Sequence, residues 1–373
     1  MYAKNKITAL LNKSDIIING DRNWDIQVND KRFYRQVFTQ GSMGMGESYM
    51  KGYWDSLSLD QTITHILYNK QDTRLGFNLH EIWLFLRAYI LNLQSKNKAE
   101  HSVIHHYDLG NELYHNFLDP YNQYSCGYFK NTEDLDLAQE LKLDLICRKL
   151  QLKKEDHVLD IGCGWGGFAK FAVERYQCKV TGITLSNNQY EYAKKFCKDL
   201  PIQILKQDYR DLKGKFDKVV SIGMIEHVGN KNYNNLFQKV HEILKTDGIF
   251  VLHTIGGNTA KKQIDPWINK YIFPNAVIPC ISQLSSAFEK KFVLEDIQHL
   301  GPHYDLTLMA WFNNFNKNWS TIQEKNPQYD YRFYRMWKYY LLSCAGAFRS
   351  RSLQLWQFIF TRNGILSPFD PPR

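Results

Sequence analysis

The sequence predicts an α/β protein with a mostly parallel sheet, preceded by a smaller α+β module. Strand-like apolar runs alternate with helical stretches from residue 157 onward, and a glycine-rich turn joins the first of those strands to the next helix. The first 92 residues lack this alternation. At 373 residues, 44% of them hydrophobic, the chain exceeds what one core usually serves, so two domains are expected.

Residues 1–92 mix strand-like runs such as Asp15–Asn19 with the stretch Gly41-Ser-Met-Gly-Met-Gly46 and an aromatic segment ending at Tyr53 and Trp54. Residues 93–102, centred on Lys96, Asn97 and Lys98, carry little apolar character and are expected to be a linker to a second domain, 103–373. Leu137, Leu141 and Leu145 recur every four residues and predict a helix. Strands are predicted at His157–Ile161, Lys179–Thr184, Ile202–Gln207, Phe216–Ile222, Gly248–His253 and Phe292–Leu300, with a last one at Tyr304–Trp311 and an aromatic helix at Tyr329–Phe348.

A net charge of +9 suits an anionic partner surface, phospholipid headgroups or nucleic acid, without choosing between them. Seven cysteines, an odd number with no C-x-x-C pair, indicate neither a disulfide framework nor a zinc site and fit a reducing compartment. Met1–Leu11 has no apolar signal-peptide core, and the apolar window Ile82–Leu93 is short for a membrane span and carries Arg87, so membrane contact is expected to be peripheral.

Asp160-Ile-Gly-Cys-Gly-Trp-Gly-Gly167 sits where a strand hands over to a helix, so Gly162 and Gly164 allow close approach of a cofactor. Gly162, Gly164 and Gly167 also satisfy G-x-G-x-x-G, but no acidic residue closes the second strand near Thr184, which disfavours NAD without excluding it. Thr184 and Gln189 offer a hydroxyl and an amide to a ribose instead. At the third strand's end Asp208 can accept from an adenine amine while Tyr209 packs on the ring. Cys126, Glu226, His253 and Tyr304 lie at or beside strand ends as well; taken singly, each is as compatible with a small buried residue, a helix cap, a satisfied core imidazole or a core aromatic.

The segments His106-Tyr-Asp-Leu-Gly-Asn111, Gln123-Tyr-Ser-Cys126, Leu159-Asp-Ile-Gly-Cys-Gly-Trp-Gly-Gly167, Gly223-Met-Ile-Glu-His-Val-Gly229, Leu252-His-Thr-Ile-Gly256, Asp265-Pro-Trp-Ile-Asn-Lys-Tyr-Ile-Phe-Pro-Asn275 and Thr307-Leu-Met-Ala-Trp311 resemble those of bacterial cyclopropane-fatty-acyl-phospholipid synthases in order and spacing. The resemblance covers roughly residues 40 to 362. It includes Gly44-Met-Gly-Glu-Ser-Tyr-Met50, a stretch that the related mycolic acid cyclopropane synthases lack.

The resemblance implies a Rossmann-like S-adenosylmethionine-dependent methyltransferase fold with an N-terminal lipid-handling domain. It implies that a methylene is added across the cis double bond of an unsaturated phospholipid acyl chain. Bicarbonate would be held by Cys126, Glu226, His253, the backbone of Ile255, and Tyr304, and S-adenosylmethionine by Tyr124, Ser125, Asp160, Gly162, Gly164, Thr184, Gln189, Asp208 and Tyr209. A homodimer and a cytoplasmic protein peripherally bound to the anionic inner membrane are also implied, with no nucleic-acid partner. Cys344 matches a family cysteine and is expected to be structural, because the chemistry needs no covalent acyl step.

The chemistry has its own logic. An alkene is a weak nucleophile, so it needs a sulfonium methyl as electrophile; a carbocation then forms, and ring closure requires loss of one proton. Trp267, Tyr271 and Phe273 are candidate rings to stabilise the cation, each by about 1 to 2 kcal/mol when desolvated, or else core packing. A fatty-acyl methyltransferase that leaves a methyl branch is the chemical alternative. A nucleic-acid-binding protein is the alternative from another class, disfavoured because no RNA or DNA module or basic run is present.

Overall fold

A computed structural model describes residues 1–69, 110–260, 263–366 and 368–373. The chain forms two compact units: Met1–Leu91, Lys262–Pro274 and Asp305–Leu353 make the first, and Asn92–Lys261, Asn275–Tyr304 and Gln354–Arg373 the second. The boundary expected near residue 92 lies outside the described residues, and 262–274 and 305–353, expected within the second domain, group with the first unit. The expected linker 93–102, the window Ile82–Leu93 and residues 106–109 of the first motif lie outside the described residues.

The first unit is mainly helical, with helices Tyr2–Lys13, Arg32–Met50, Leu59–Tyr68 and Tyr331–Arg349, and one two-residue strand pair, Gln27–Val28 with Trp54–Asp55. Asp15–Asn19 is not a strand; only an isolated bridge, Ile18 to Ile26, forms there. What ties the distant segments together is aromatic and cationic. The Trp267 ring lies 4.6 Å from Tyr339, and Arg335 donates to the carbonyl oxygens of Tyr49 (2.6 Å) and Trp54 (3.1 Å). A side chain at Gly46 would sit 2.4 Å from the Trp267 ring, so Gly46 leaves room for that indole. Trp267, Tyr271 and Phe273 therefore serve this core: Tyr271 packs on Trp267, its hydroxyl donates to Glu47, and Phe273 meets Tyr340.

The second unit is built on seven strands: β1 (His157–Ile161), β2 (Lys179–Thr184), β3 (Ile202–Lys206), β4 (Phe216–Ile222), β5 (Leu244–Gly257), β6 (Val293–His299) and β7 (Leu353–Thr361). Their order is β3-β2-β1-β4-β5-β7-β6; β1 to β5 run parallel, and β6 and β7 are antiparallel to one another. Strand residues alternate between the two faces. Leu159, Val219, Phe250 and Phe358 pack with helix α4 (Tyr233–Ile243), while Val158, Val220, Val251 and Ile359 pack with α1 (Leu135–Lys149) and α2 (Gly167–Tyr176). Both faces are covered, as parallel strands require.

A second strand expectation also needs correction. Tyr304–Trp311 is not a strand but part of helix Gly301–Lys317, whose buried residues Tyr304, Leu308, Trp311 and Phe315 recur at a helical period. The strand expected there is β7, some fifty residues later. Helix α1 forms as expected; of its leucines Leu145 is buried and Leu137 is 47% exposed, while Lys142 and Lys149 are fully buried.

Candidate functional site

The order of the strands reverses at β1, with β2 on one side and β4 on the other, and the crevice beyond their carboxyl ends is the natural ligand site of such a sheet. A cleft opens there, lined by Tyr124, Ser125, Asp160, Gly162, Gly164, Thr184, Gln189, Asp208 and Tyr209, so all nine residues expected to bind the cofactor meet around one space. Trp165, Arg210, Met224 and His227 line it too.

The turn after β1 has the backbone that a bound nucleoside needs. Gly162 and Gly164 take positive φ, +86° and +54°, and a side chain at Gly164 would meet no protein atom within 4 Å. Beyond β2 the Thr184 hydroxyl donates to Gln189 Oε1 at 2.8 Å, and Ser186 caps helix α3 (Asn187–Phe196). Beyond β3, Asp208 accepts from the Arg210 amide at 2.9 Å, and the buried Tyr209 hydroxyl makes no hydrogen bond of ordinary geometry among the described residues. Open space against a glycine, a fixed carboxylate and an unanswered phenol fit an adenosyl group and its polar edge.

Beneath the cleft lies a buried cation. Lys142 Nζ donates to Gln123 Oε1 (2.6 Å) and Ser125 Oγ (2.9 Å), and Gln139 Nε2 holds the Ser125 carbonyl at 2.8 Å. Burial pushes the Lys142 ammonium down to about 8 and the Asp160 carboxyl up to about 7, each countered in part by the other.

Of the five residues expected to hold an anion, Glu226, His253 and Ile255 meet beside the carboxyl end of β4. His253 on β5 pairs with Ile222, the last residue of β4, and Glu226 lies just beyond it. Glu226 Oε1 accepts from the Ile255 amide at 2.7 Å and from the Thr254 hydroxyl at 3.1 Å. The Ile255 N–H, expected to face an anion, is thus given to Glu226. Cys126 Sγ lies 3.9 Å from the Leu300 carbonyl oxygen, and Tyr304, buried, follows one helical turn after Leu300.

Two wholly buried atoms in this group have no partner among the described residues, Glu226 Oε2 and His253 Nε2. Burial raises the Glu226 carboxyl to about 7 and holds the His253 ring well below its ordinary value, with Lys142 and Lys149 adding to the latter. A neutral imidazole and an acid of intermediate strength are the donor and acceptor set that a small oxyanion such as bicarbonate fits.

The chain matches the family model for mycolic acid cyclopropane synthetase over residues 94–358. It belongs to that family. Among curated relatives, the cyclopropane-fatty-acyl-phospholipid synthase of Escherichia coli K12 is 46% identical over 359 residues, covering 95% of this chain and 93% of that one. A probable fatty acid methyltransferase of Pseudomonas putida is 36% identical, covering 71% and 70%. Among solved structures, a cyclopropane synthase from Mycobacterium tuberculosis superposes with a TM-score of 0.65 at 30% identity, over 72% of this chain and 99% of its own. A mycolic acid cyclopropane synthase complexed with SAH and CTAB gives 0.65 at 32% identity, over 70% and 97%.

Within this family fold, four polar residues of the site escaped the sequence: Gln139, Lys142, Lys149 and Gln357. Lysines on a leucine-rich helix ordinarily mark its wet face. Only the burial of α1 on both sides shows otherwise.

Proposed function

We propose that the protein transfers a one-carbon unit from S-adenosylmethionine to the cis double bond of an unsaturated phospholipid acyl chain and closes it to a cyclopropane, with bicarbonate as the base. The buried pair Glu226 Oε2 and His253 Nε2, without a partner among the described residues, carries this reading. A site built only to donate a methyl needs no such pair, whereas ring closure needs a proton acceptor.

S-adenosylmethionine, held by the nine cleft residues, would supply the electrophilic methyl; bicarbonate, held beside Glu226, His253, Cys126 and Tyr304, would supply the base. The protein's own work is orientation. Ile255 N–H and the Thr254 hydroxyl fix Glu226 Oε1, so its other oxygen is the one left to accept from an anion's hydroxyl. His253, kept neutral by burial, donates without competing for the proton being removed. Holding the base as a guest avoids setting a covalently attached carboxylate against a carbocation, where an ester would form.

The relatives' names support a lipid substrate, and the SAH and CTAB complex of a solved family member supports a nucleoside cleft near an alkyl-chain site. No helix among the described residues is long and apolar enough to cross a membrane, which agrees with peripheral binding driven by the +9 charge, each Lys or Arg near an anionic surface adding about 1 kcal/mol. A homodimer belongs to the same proposal.

Expression in a host without cyclopropane lipids, followed by mass spectrometry of the acyl chains, tests the function. A one-carbon mass gain that fragments as a ring is expected. A methyl branch would assign the methyltransferase alternative, and unchanged chains would overturn both.

A further inference from the structure

Behind His253 lies a chain of buried polar groups that the reaction as described does not use. Gln357, on β7, is fully buried, and its Nε2 lies 3.0 Å from His253 Nδ1. Gln357 Oε1 accepts from Lys149 Nζ at 2.7 Å, and the same ammonium donates to Gln298 Oε1 on β6 at 2.5 Å. Lys149, in the last turn of α1, is fully buried as well.

We propose that Lys149 and Gln357 are positioning residues that hold His253 as its Nε2–H tautomer, so that a ring N–H is presented to the small anion. The purpose rests on the function proposed above; the hydrogen-bond chain does not.

The direction of the chain follows from which group can donate. A lysine side chain offers hydrogens to the two amide oxygens facing it, so the carboxamide of Gln357 must turn its oxygen toward Lys149. Its NH2 is then left facing the imidazole, and an NH2 is a donor only. Nδ1 must therefore be the lone-pair nitrogen. In a neutral ring the proton then resides on Nε2, the nitrogen that no group among the described residues meets.

The charged groups acting on the ring, Lys142 and Lys149, both disfavour a second proton. The site is thus set with one fixed donor, His253 Nε2–H, and one acceptor, Glu226 Oε2. This is the complement of an anion that carries both bare oxygens and a hydroxyl. A purely structural role for the buried lysine and two glutamines would leave the KM for bicarbonate unmoved in their variants.

Nitrogen-15 NMR of histidine-labelled protein reads the tautomer directly, with His253→Asn identifying the resonance. The wild type is expected to show protonated Nε2 and bare Nδ1. In Gln357→Glu the carboxylate accepts from Nδ1–H, so the protonation pattern should change, and the KM for bicarbonate should rise tenfold or more. The KM for S-adenosylmethionine should stay within about twofold, because Gln357 does not line the cofactor cleft.

Lys149→Met, which fills similar volume, provides a second route should the first variant fail to fold, and it should give a mixture of tautomers. A wild-type ring protonated on Nδ1, or an unchanged spectrum in a folded variant, would overturn the proposal. Shifted tautomers with turnover indifferent to bicarbonate would uphold the positioning chain and overturn the anion reading of the proposed function.

Discussion

Glu226→Gln should give an enzyme that is more stable and nearly inactive. Gln keeps an oxygen to accept from Ile255 N–H and Thr254, so the local fold is preserved. What it loses is the buried carboxyl, which burial carries from 4.5 to about 7. A raised value means that the folded state favours the protonated form. Below the ordinary value the acid costs little, and stability is lost as pH rises from there through about 7. A shift of that size corresponds to about 3 kcal/mol, a penalty the neutral amide never incurs. In bicarbonate-free buffer, the gap in thermal midpoint between variant and wild type should therefore widen from pH 5 to pH 8. Turnover should fall by roughly a hundredfold or more, the usual worth of a group that aligns a proton transfer, with S-adenosylhomocysteine affinity little changed. A variant with turnover within tenfold of wild type, or a stability gap flat with pH, would refute the reasoning.

Gly164→Ala places a methyl group in the open cleft at positive φ; it should cost about 1 kcal/mol of stability and at least tenfold in S-adenosylhomocysteine affinity, measured by calorimetry. Lys142→Met removes the donor to Gln123 and Ser125 and should weaken the same affinity. Because burial lowers the Lys142 ammonium to about 8, its cost is present at lower pH and relieved as pH rises from there toward 10.5, so the wild type should gain on the variant over that range in thermal melts. Burial pushes the Cys344 thiol up to about 12, leaving almost no thiolate at neutral pH; Cys344→Ala should retain turnover within about twofold, and a large loss would assign the thiol a role.

Much of the second unit was legible because parallel strands are short apolar runs bounded by turn residues. β1, β2 and β4 fall where their patterns begin and end. The nine cleft residues were legible for a related reason, since a ligand crevice collects the loops after strands, and a polar cluster after an apolar run is visible in one dimension. β7 was missed because its strand neighbours are supplied by distant segments, and Tyr304–Trp311 was mistaken for a strand because Tyr304, Leu306 and Leu308 alternate with Asp305 and Thr307. Gln357 and Lys149 left no signal: a fully buried lysine paired with amides looks, in sequence, like a surface residue. The membership of 305–353 in the first unit was equally hidden, because it depends on contacts such as Arg335 to Tyr49 across nearly the whole chain.

The placement of β7 between β5 and β6 also governs how the protein is born. β5 ends at Gly257 and β7 at Thr361, so roughly a hundred residues must be synthesised before the open side of β5 receives its neighbour, about 5 to 20 s at ordinary ribosomal speed. Throughout that interval the nascent sheet shows an apolar border, and His253 lacks the strand that orients it. A chain that ends before Leu353 therefore leaves that edge of β5 without its strand neighbour and lacks Gln357.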